Sequence, residues 1–208
     1  MSLTKIKKPI KVHGDNSKES LGLVHVITGD GKGKTTAAIG LALRAIGYGY
    51  KVYMIQFLKS GKTGELMAVK NLVVPNITIE QYGVDALNNS KMQRTLFDFS
   101  DTGTRFVFQP DIEERKAAER GLEKAKEIIN SKEYDLVILD EINCVLDKGL
   151  ISIDEAKRLI ANHGHAELIF TGRDAPKEII ELADYVSSID RIRHPWQKGI
   201  KARRGIEY

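Results

Sequence analysis

"HVITGDGKGKTTAAIGLALRA", residues 25–45, runs from an apolar stretch through a burst of glycine and lysine into an alanine-rich helical stretch. Strand, loop and helix in that order are the context of a phosphate-binding loop, whose usual pattern is G-x-x-x-x-G-K-[ST]. Gly33, Lys34 and Thr35 match its end, whereas Thr28 stands where the first glycine is expected and Gly29 follows it. The chemistry survives the mismatch. Glycines at 29, 31 and 33 let backbone N–H groups converge on an anion. The helix that follows points its positive end at the same place. Lys34 supplies a point charge, and the Thr35 hydroxyl is a ligand for Mg²⁺. The nucleotide-binding set is therefore Gly29, Asp30, Gly31, Lys32, Gly33, Lys34, Thr35 and Thr36. A glycine-rich turn with exposed lysines is the alternative, and spacing, context and the lysine all argue against it.

Outward from the loop the pattern stays regular. Residues 23–28, 51–57, 77–82, 135–140, 166–171 and 184–189 read as strands, several of them continuous apolar runs. Unbroken apolar runs are expected of parallel strands covered on both faces. Helical patterns fall between them at 34–47, 64–73, 111–131, 152–162 and 176–183. Alternating strand and helix predicts an α/β domain over 23–208, with a mostly parallel central sheet flanked by helices. Residues 1–22 form a polar, lysine-rich arm, read either as a disordered tail or as a lid. The stretch 84–102 lacks periodicity and is long for a loop.

"DLVILDEIN" (135–143) is an apolar strand ending in Asp140-Glu141. Carboxylates at a strand end reach Mg²⁺ or position a nucleophile, and elsewhere such a pair is merely solvated or a helix cap. Beside the loop it indicates a nucleoside triphosphate site for ATP with Mg²⁺. Glu141 and Asp140, with Thr35, are the metal candidates. The bulk numbers exclude little else. A net charge of +4 over 208 residues does not argue for nucleic acid. A lone cysteine, Cys144, fits a reducing compartment. No apolar stretch approaches the roughly 20 residues of a membrane helix. The expectation is a soluble cytoplasmic protein.

Two more stretches bear on the reaction. "TGRDAPKEIIELAD" (171–184) follows an apolar strand and brings Arg173 to the ligand-binding edge of a parallel sheet; a turn with a surface arginine is the other reading. "RIRHPWQKGIKARRGIEY" (191–208) is basic and carries His194, Trp196 and Tyr208, as a phosphate-binding tail or a structured lid would.

Taken in order, "TGDGKGKTTAAIGLALRAIGYG", "IQFLKSG", "VILDEIN", "LIFTGRDAP" with "ELADYVSSI", and "HPWQKGIKARRGIEY" resemble the phosphate-loop ATP:corrinoid adenosyltransferases from about Leu21 to Tyr208. Thr in place of the first glycine is a trait of that family. The resemblance implies a RecA-like phosphate-loop NTPase fold and a transferase. Co(I) of a reduced corrinoid attacks the 5′ carbon of ATP, triphosphate leaves, and an adenosyl–cobalt bond forms, in adenosylcobalamin biosynthesis or salvage. Lys34 and Glu141 are then the catalytic candidates, with Asp140 as second acid. Arg44 reads as a nucleotide contact or as an exposed helix arginine. In "GTRFVFQPD" (103–111), Phe106 and Phe108 match the family's apolar patch under the corrin, Phe108 standing where Trp is common; both also read as core aromatics. The stretch 84–102 looks like an insertion, and the arm like a segment that folds over the active site. ATP, a corrinoid, an electron donor such as a flavoprotein and a second copy of the chain are the implied partners, without membrane or nucleic acid. The main rival is a RecA-like ATPase acting on nucleic acid, which would release ADP and phosphate.

Overall fold

A computed structural model of the chain describes residues 17–84 and 112–207. Six strands form one sheet: β1 (Val24–Thr28), β2 (Val52–Phe57), β3 (Ile77–Tyr82), β4 (Leu136–Asp140), β5 (Glu167–Thr171) and β6 (Tyr185–Ser188). Their order across the sheet is β3-β2-β4-β5-β1-β6, and every described pairing is parallel. The sheet is thus wholly parallel among the described residues, beyond the expected "mostly". β5 lies between β1, which feeds the glycine loop, and β4, which ends in Asp140.

The helices are α1 (Lys34–Gly47), α2 (Gly64–Leu72), α3 (Ile112–Ser131), α4 (Ile142–Asp147), α5 (Ile153–Ala161) and α6 (Lys177–Ile180). α1 sets Ala38 and Ala42 against Met54, Ile138 and Ile169 on one face of the sheet. On the other face, Ala118, Leu122, Ala125 and Ile129 of α3 join Val145 of α4 and Leu159 of α5 over Tyr53, Ile55, Leu139 and Phe170. Alternate residues of β2 and β4 therefore feed opposite cores, so both strands are buried along their whole length and lack the polar alternation of a one-sided sheet. α3 approaches closely because of Gly121, where a Cβ would stand 2.6 Å from the Phe57 ring.

α4 has no counterpart in the sequence reading. Its six residues are too few for helical periodicity to show. The stretch 85–102, residues Phe106 and Phe108, and the arm as far as residue 16 lie outside the described residues. Ser17 to Gly22 run along the opposite, N-terminal end of the strands, where the Lys18 ammonium meets Asp135 at 2.8 Å. No described helix is long and apolar enough to cross a membrane.

Candidate active site

In a parallel sheet the C-terminal strand ends share one edge, and ligands bind there. This edge gathers the glycine loop after β1, Lys59 just past β2, Asp140 and Glu141 at the end of β4, and Thr171 to Arg173 at the end of β5.

The loop is shaped by contact as well as by conformation. Gly33 caps α1 with φ 125°, and a Cβ there would meet only Ile189 Cδ1 at 3.9 Å, an ordinary contact, so backbone conformation is what requires glycine. At Gly29, φ 97°, clearance adds to conformation, and at Gly31 the reason is clearance. A Cβ would lie 2.5 and 2.6 Å from the Ile189 carbonyl oxygen, main chain that cannot turn aside. Residues 189–191 form a strap over the loop. The Gly31 N–H donates to the Ile189 carbonyl at 2.7 Å. The Arg191 N–H donates to Asp30 at 2.9 Å, and its guanidinium pairs with the same carboxylate at 3.2 Å. The Arg191 N–H is the main influence holding the Asp30 carboxyl below its ordinary range. Thr28 has its own task, accepting the Ala175 N–H at 3.3 Å and so tying the loop to the turn after β5.

Lys34 is buried and curls into the loop, donating to the Gly29 and Gly31 carbonyls at 2.7 Å each. Burial, and then the like charge of Arg173, push its ammonium below the usual lysine range. Arg173 thus exerts its charge on Lys34 at the loop. Lys32 and Thr36 are exposed at the loop and the first turn of α1. Lys32 also helps hold the Glu207 carboxyl low, after the larger effect of Arg203, which brings the end of the basic tail electrostatically near the loop.

Asp140 is fully buried and accepts from Thr35 Oγ1 at 2.8 Å, Thr171 Oγ1 at 2.6 Å, Gln56 Nε2 at 3.0 Å and Lys59 Nζ at 2.6 Å. The Thr35 bond joins the loop helix to the acidic strand end. Because the hydroxyl spends its proton on Asp140, its lone pairs remain for a cation. Glu141 takes the left-handed conformation, φ 64°, to start α4. Its N–H donates to Thr171 Oγ1 at 3.0 Å, and its carboxylate accepts the Cys144 thiol at 3.1 Å. The Cys144 sulfur accepts the Arg173 N–H at 3.2 Å. Gly172, φ 129°, permits this turn to pass against Asn143 and Cys144.

The oxygen-only donor set of Thr35, Asp140 and Glu141 suits Mg²⁺, which keeps several waters and binds through one or two carboxylates plus substrate phosphates. No cluster of three or more His, Cys, Asp or Glu poised for a metal exists among the described residues. The Lys59 ammonium, 3.2 Å from Thr35 Oγ1 and 2.6 Å from Asp140 Oδ2, shows that a positive charge is accepted between them.

Arg44 is not brought to this edge. It lies ten positions beyond Lys34, about 15 Å along the helix at 1.5 Å per residue. There it lines a cavity of about 560 Å³ with Leu21, His25, Tyr50 and Asp135, at the N-terminal ends of the strands. Lys59, Gln56 and Thr171 were given no role by the sequence reading. The signal for Gln56 was present: a single amide inside the apolar run "VYMIQF".

An all-parallel sheet with a glycine loop between β1 and α1, and a buried carboxylate bonded to the first helical threonine, defines a phosphate-loop α/β protein. A family model described as ATP:corrinoid adenosyltransferase BtuR/CobO/CobP matches residues 20–208, and the chain belongs to that family. It is 31% identical over 206 residues to the corrinoid adenosyltransferase of Escherichia coli (strain K12), covering 98% of this chain and 94% of that protein. It is 32% identical, with the same coverage, to corrinoid adenosyltransferase CobA of Salmonella typhimurium. It is 33% identical over 192 residues to a corrinoid adenosyltransferase of Sinorhizobium sp, covering 90% of this chain and 80% of that one. The family is one of transferases, which decides against the ATPase reading.

Proposed function

We propose that the chain transfers the 5′-deoxyadenosyl group of ATP to Co(I) of a reduced corrinoid, with Mg²⁺ held at Thr35, Asp140 and Glu141. The carbon–cobalt bond forms as the C5′–O bond breaks, and the electron pair of that bond leaves with triphosphate. The observation that carries the residue assignments is the Thr35–Asp140 hydrogen bond at 2.8 Å, which joins the phosphate cradle to the acidic strand end. Loop backbone N–H groups other than that of Gly31, which is bound to the Ile189 carbonyl, and Lys34 face charge that grows on the departing triphosphate, and fixed donors aimed at developing charge are the strongest contribution a site of this kind makes. Lys34 must leave the Gly29 and Gly31 carbonyls to do so. Mg²⁺ would neutralise part of the same charge. Arg173 adds a second positive charge at the loop.

The role of Phe106 and Phe108 beneath the corrin rests on the resemblance, as do the homodimer and the flavoprotein donor, while the cytoplasmic setting rests on the lone Cys144, which fits a reducing compartment. The test is anaerobic incubation with ATP, Mg²⁺ and chemically reduced cob(I)alamin in dim light. The expected outcome is a light-sensitive adenosyl product with one triphosphate released per cobalt. ADP without such a product would overturn the reading.

A further inference from the structure

Lys59 is held by a built turn. Leu58 takes the left-handed conformation, φ 56°, costly for a branched side chain. The chain then doubles back so that a Cβ on Gly83 would meet the Lys59 main chain at 2.5 Å. The result aims the ammonium inward, 2.6 Å from Asp140 Oδ2, 3.2 Å from Thr35 Oγ1 and 3.8 Å from Glu65 Oε1. Gln56 completes the pocket, donating to both Asp140 and Glu65. A carboxylate buried as Asp140 is costly unless a positive charge answers it. Lys59 is that charge.

We infer that Lys59 is an internal counter-ion that keeps the metal position filled in the nucleotide-free protein and passes to the triphosphate when metal and nucleotide enter. The inference rests on the proposed metal placement at Thr35 and Asp140. The ammonium stands 2.6 Å from Asp140 Oδ2 and 3.2 Å from Thr35 Oγ1, between the two residues proposed to hold the metal, so the two cations compete for one place. The lysine has a flexible four-carbon stem and three donors. Displaced from Asp140, it starts beside Thr35 at the mouth of the phosphate cradle, where triphosphate oxygens offer new acceptors. Metal alone then binds poorly, because it must evict Lys59 with nothing to receive it. The exchange favours metal arriving with phosphate.

This gives Lys59 opposite effects on two single ligands, which loss of structure would not. Binding of Mn²⁺ alone is measured by electron paramagnetic resonance. Binding of inorganic tripolyphosphate in excess chelator is measured by calorimetry. Lys59→Met is expected to bind Mn²⁺ about tenfold tighter and metal-free tripolyphosphate about tenfold weaker, since the buried Asp140 charge is left for the metal and the phosphate loses a cation. Lys59→Arg keeps a charge there and holds both values near wild type, and it stands in if the methionine variant fails to fold. Unchanged or weaker Mn²⁺ binding by Lys59→Met, or tight Mn²⁺ binding by Lys59→Arg in its place, overturns the inference. Thr35→Val separates the two readings. If it leaves Mn²⁺·ATP binding intact, the metal placement itself is wrong. If it abolishes that binding while Lys59→Met leaves Mn²⁺ affinity unmoved, only the counter-ion role fails.

Discussion

The Thr171 hydroxyl donates to Asp140 Oδ1 at 2.6 Å and accepts the Glu141 N–H at 3.0 Å. One buried side chain on β5 thereby fixes the carboxylate that ends β4 and the backbone of the acid after it. This is possible because β5 is inserted between the acidic strand and the loop strand, which places a strand-end threonine where both groups converge.

Thr171→Val keeps the shape and removes the hydroxyl. It leaves the Glu141 N–H without its partner and takes one donor from a buried carboxylate. A stability loss of about 1–3 kcal/mol is expected, the cost of stranding a buried polar group. Denaturant unfolding measures it, with Thr171→Ser as the variant that restores the bond. A loss no larger than that of an exposed surface substitution would mean that the hydroxyl fixes nothing.

Lys34→Met should separate stability from function. The ammonium is buried against two carbonyls with no carboxylate paired to it among the described residues, and Arg173 repels it. Its removal is expected to leave the unfolding midpoint unchanged or raised. Turnover should fall by about 10²–10³-fold, the usual price of removing one donor aimed at transition-state charge. Unfolding curves and the adenosylation rate together decide it, and a destabilised but active variant would contradict the assignment.

Much of this edge was legible in the sequence, and the reasons are specific. The strand over 135–140 was plain because its apolar run Leu136–Leu139 is bounded by Asp135 and Asp140. Gly33-Lys34-Thr35 and Asp140-Glu141 were plain because both are contiguous. Lys59 and Thr171 were not, since each acquires its role from neighbours about 80 and 30 positions away through strand pairing. Arg44 shows the converse. Proximity in sequence to the loop suggested a nucleotide contact, but a helix running away from the loop carries it to the far end of the sheet. The six-residue α4 was silent because it spans less than two turns.

Gly31→Ala and Gly33→Ala should fail differently. At Gly31 the added carbon meets the Ile189 and Asp190 main chain at 2.6–2.9 Å, so the strap must lift and the Asp30–Arg191 contacts with it. At Gly33 the carbon has room, and the cost is the positive φ, about 1–2 kcal/mol. Protease sensitivity after residue 188 is expected to rise for Gly31→Ala alone. Equal sensitivity in both variants would show that the strap does not depend on that clearance.

Acid stability should depend on Glu167. Burial raises its carboxyl, but the His25 ring at 2.6 Å and the N–H groups of Gly22 and Leu23 at 3.0 Å outweigh that and hold it below its ordinary 4.5. A carboxyl lowered by folding contributes stability above its unfolded value, lost as pH falls through the folded one. The contribution is therefore complete above about pH 5 and fades below 4.5. Glu167→Gln is expected to be less stable than wild type at pH 7 and to lose less stability than wild type on going to pH 3. Parallel pH profiles would refute the pairing.

Cys144 supplies a chemical probe of the same edge. Burial, then the Glu141 carboxylate that its thiol donates to, push the thiol from 9.0 up to about 12. A raised thiol is protonated, and only the thiolate is nucleophilic. At pH 8 the raised thiol is less ionised than the same thiol in the unfolded chain. Iodoacetamide should therefore label the native protein clearly more slowly than the denatured chain. Glu141→Gln removes the carboxylate charge that disfavours the thiolate, so native labelling should quicken while the denatured rate stays fixed. Identical native rates in wild type and Glu141→Gln would mean that the thiol and Glu141 are not in contact, and that α4 begins in some other way.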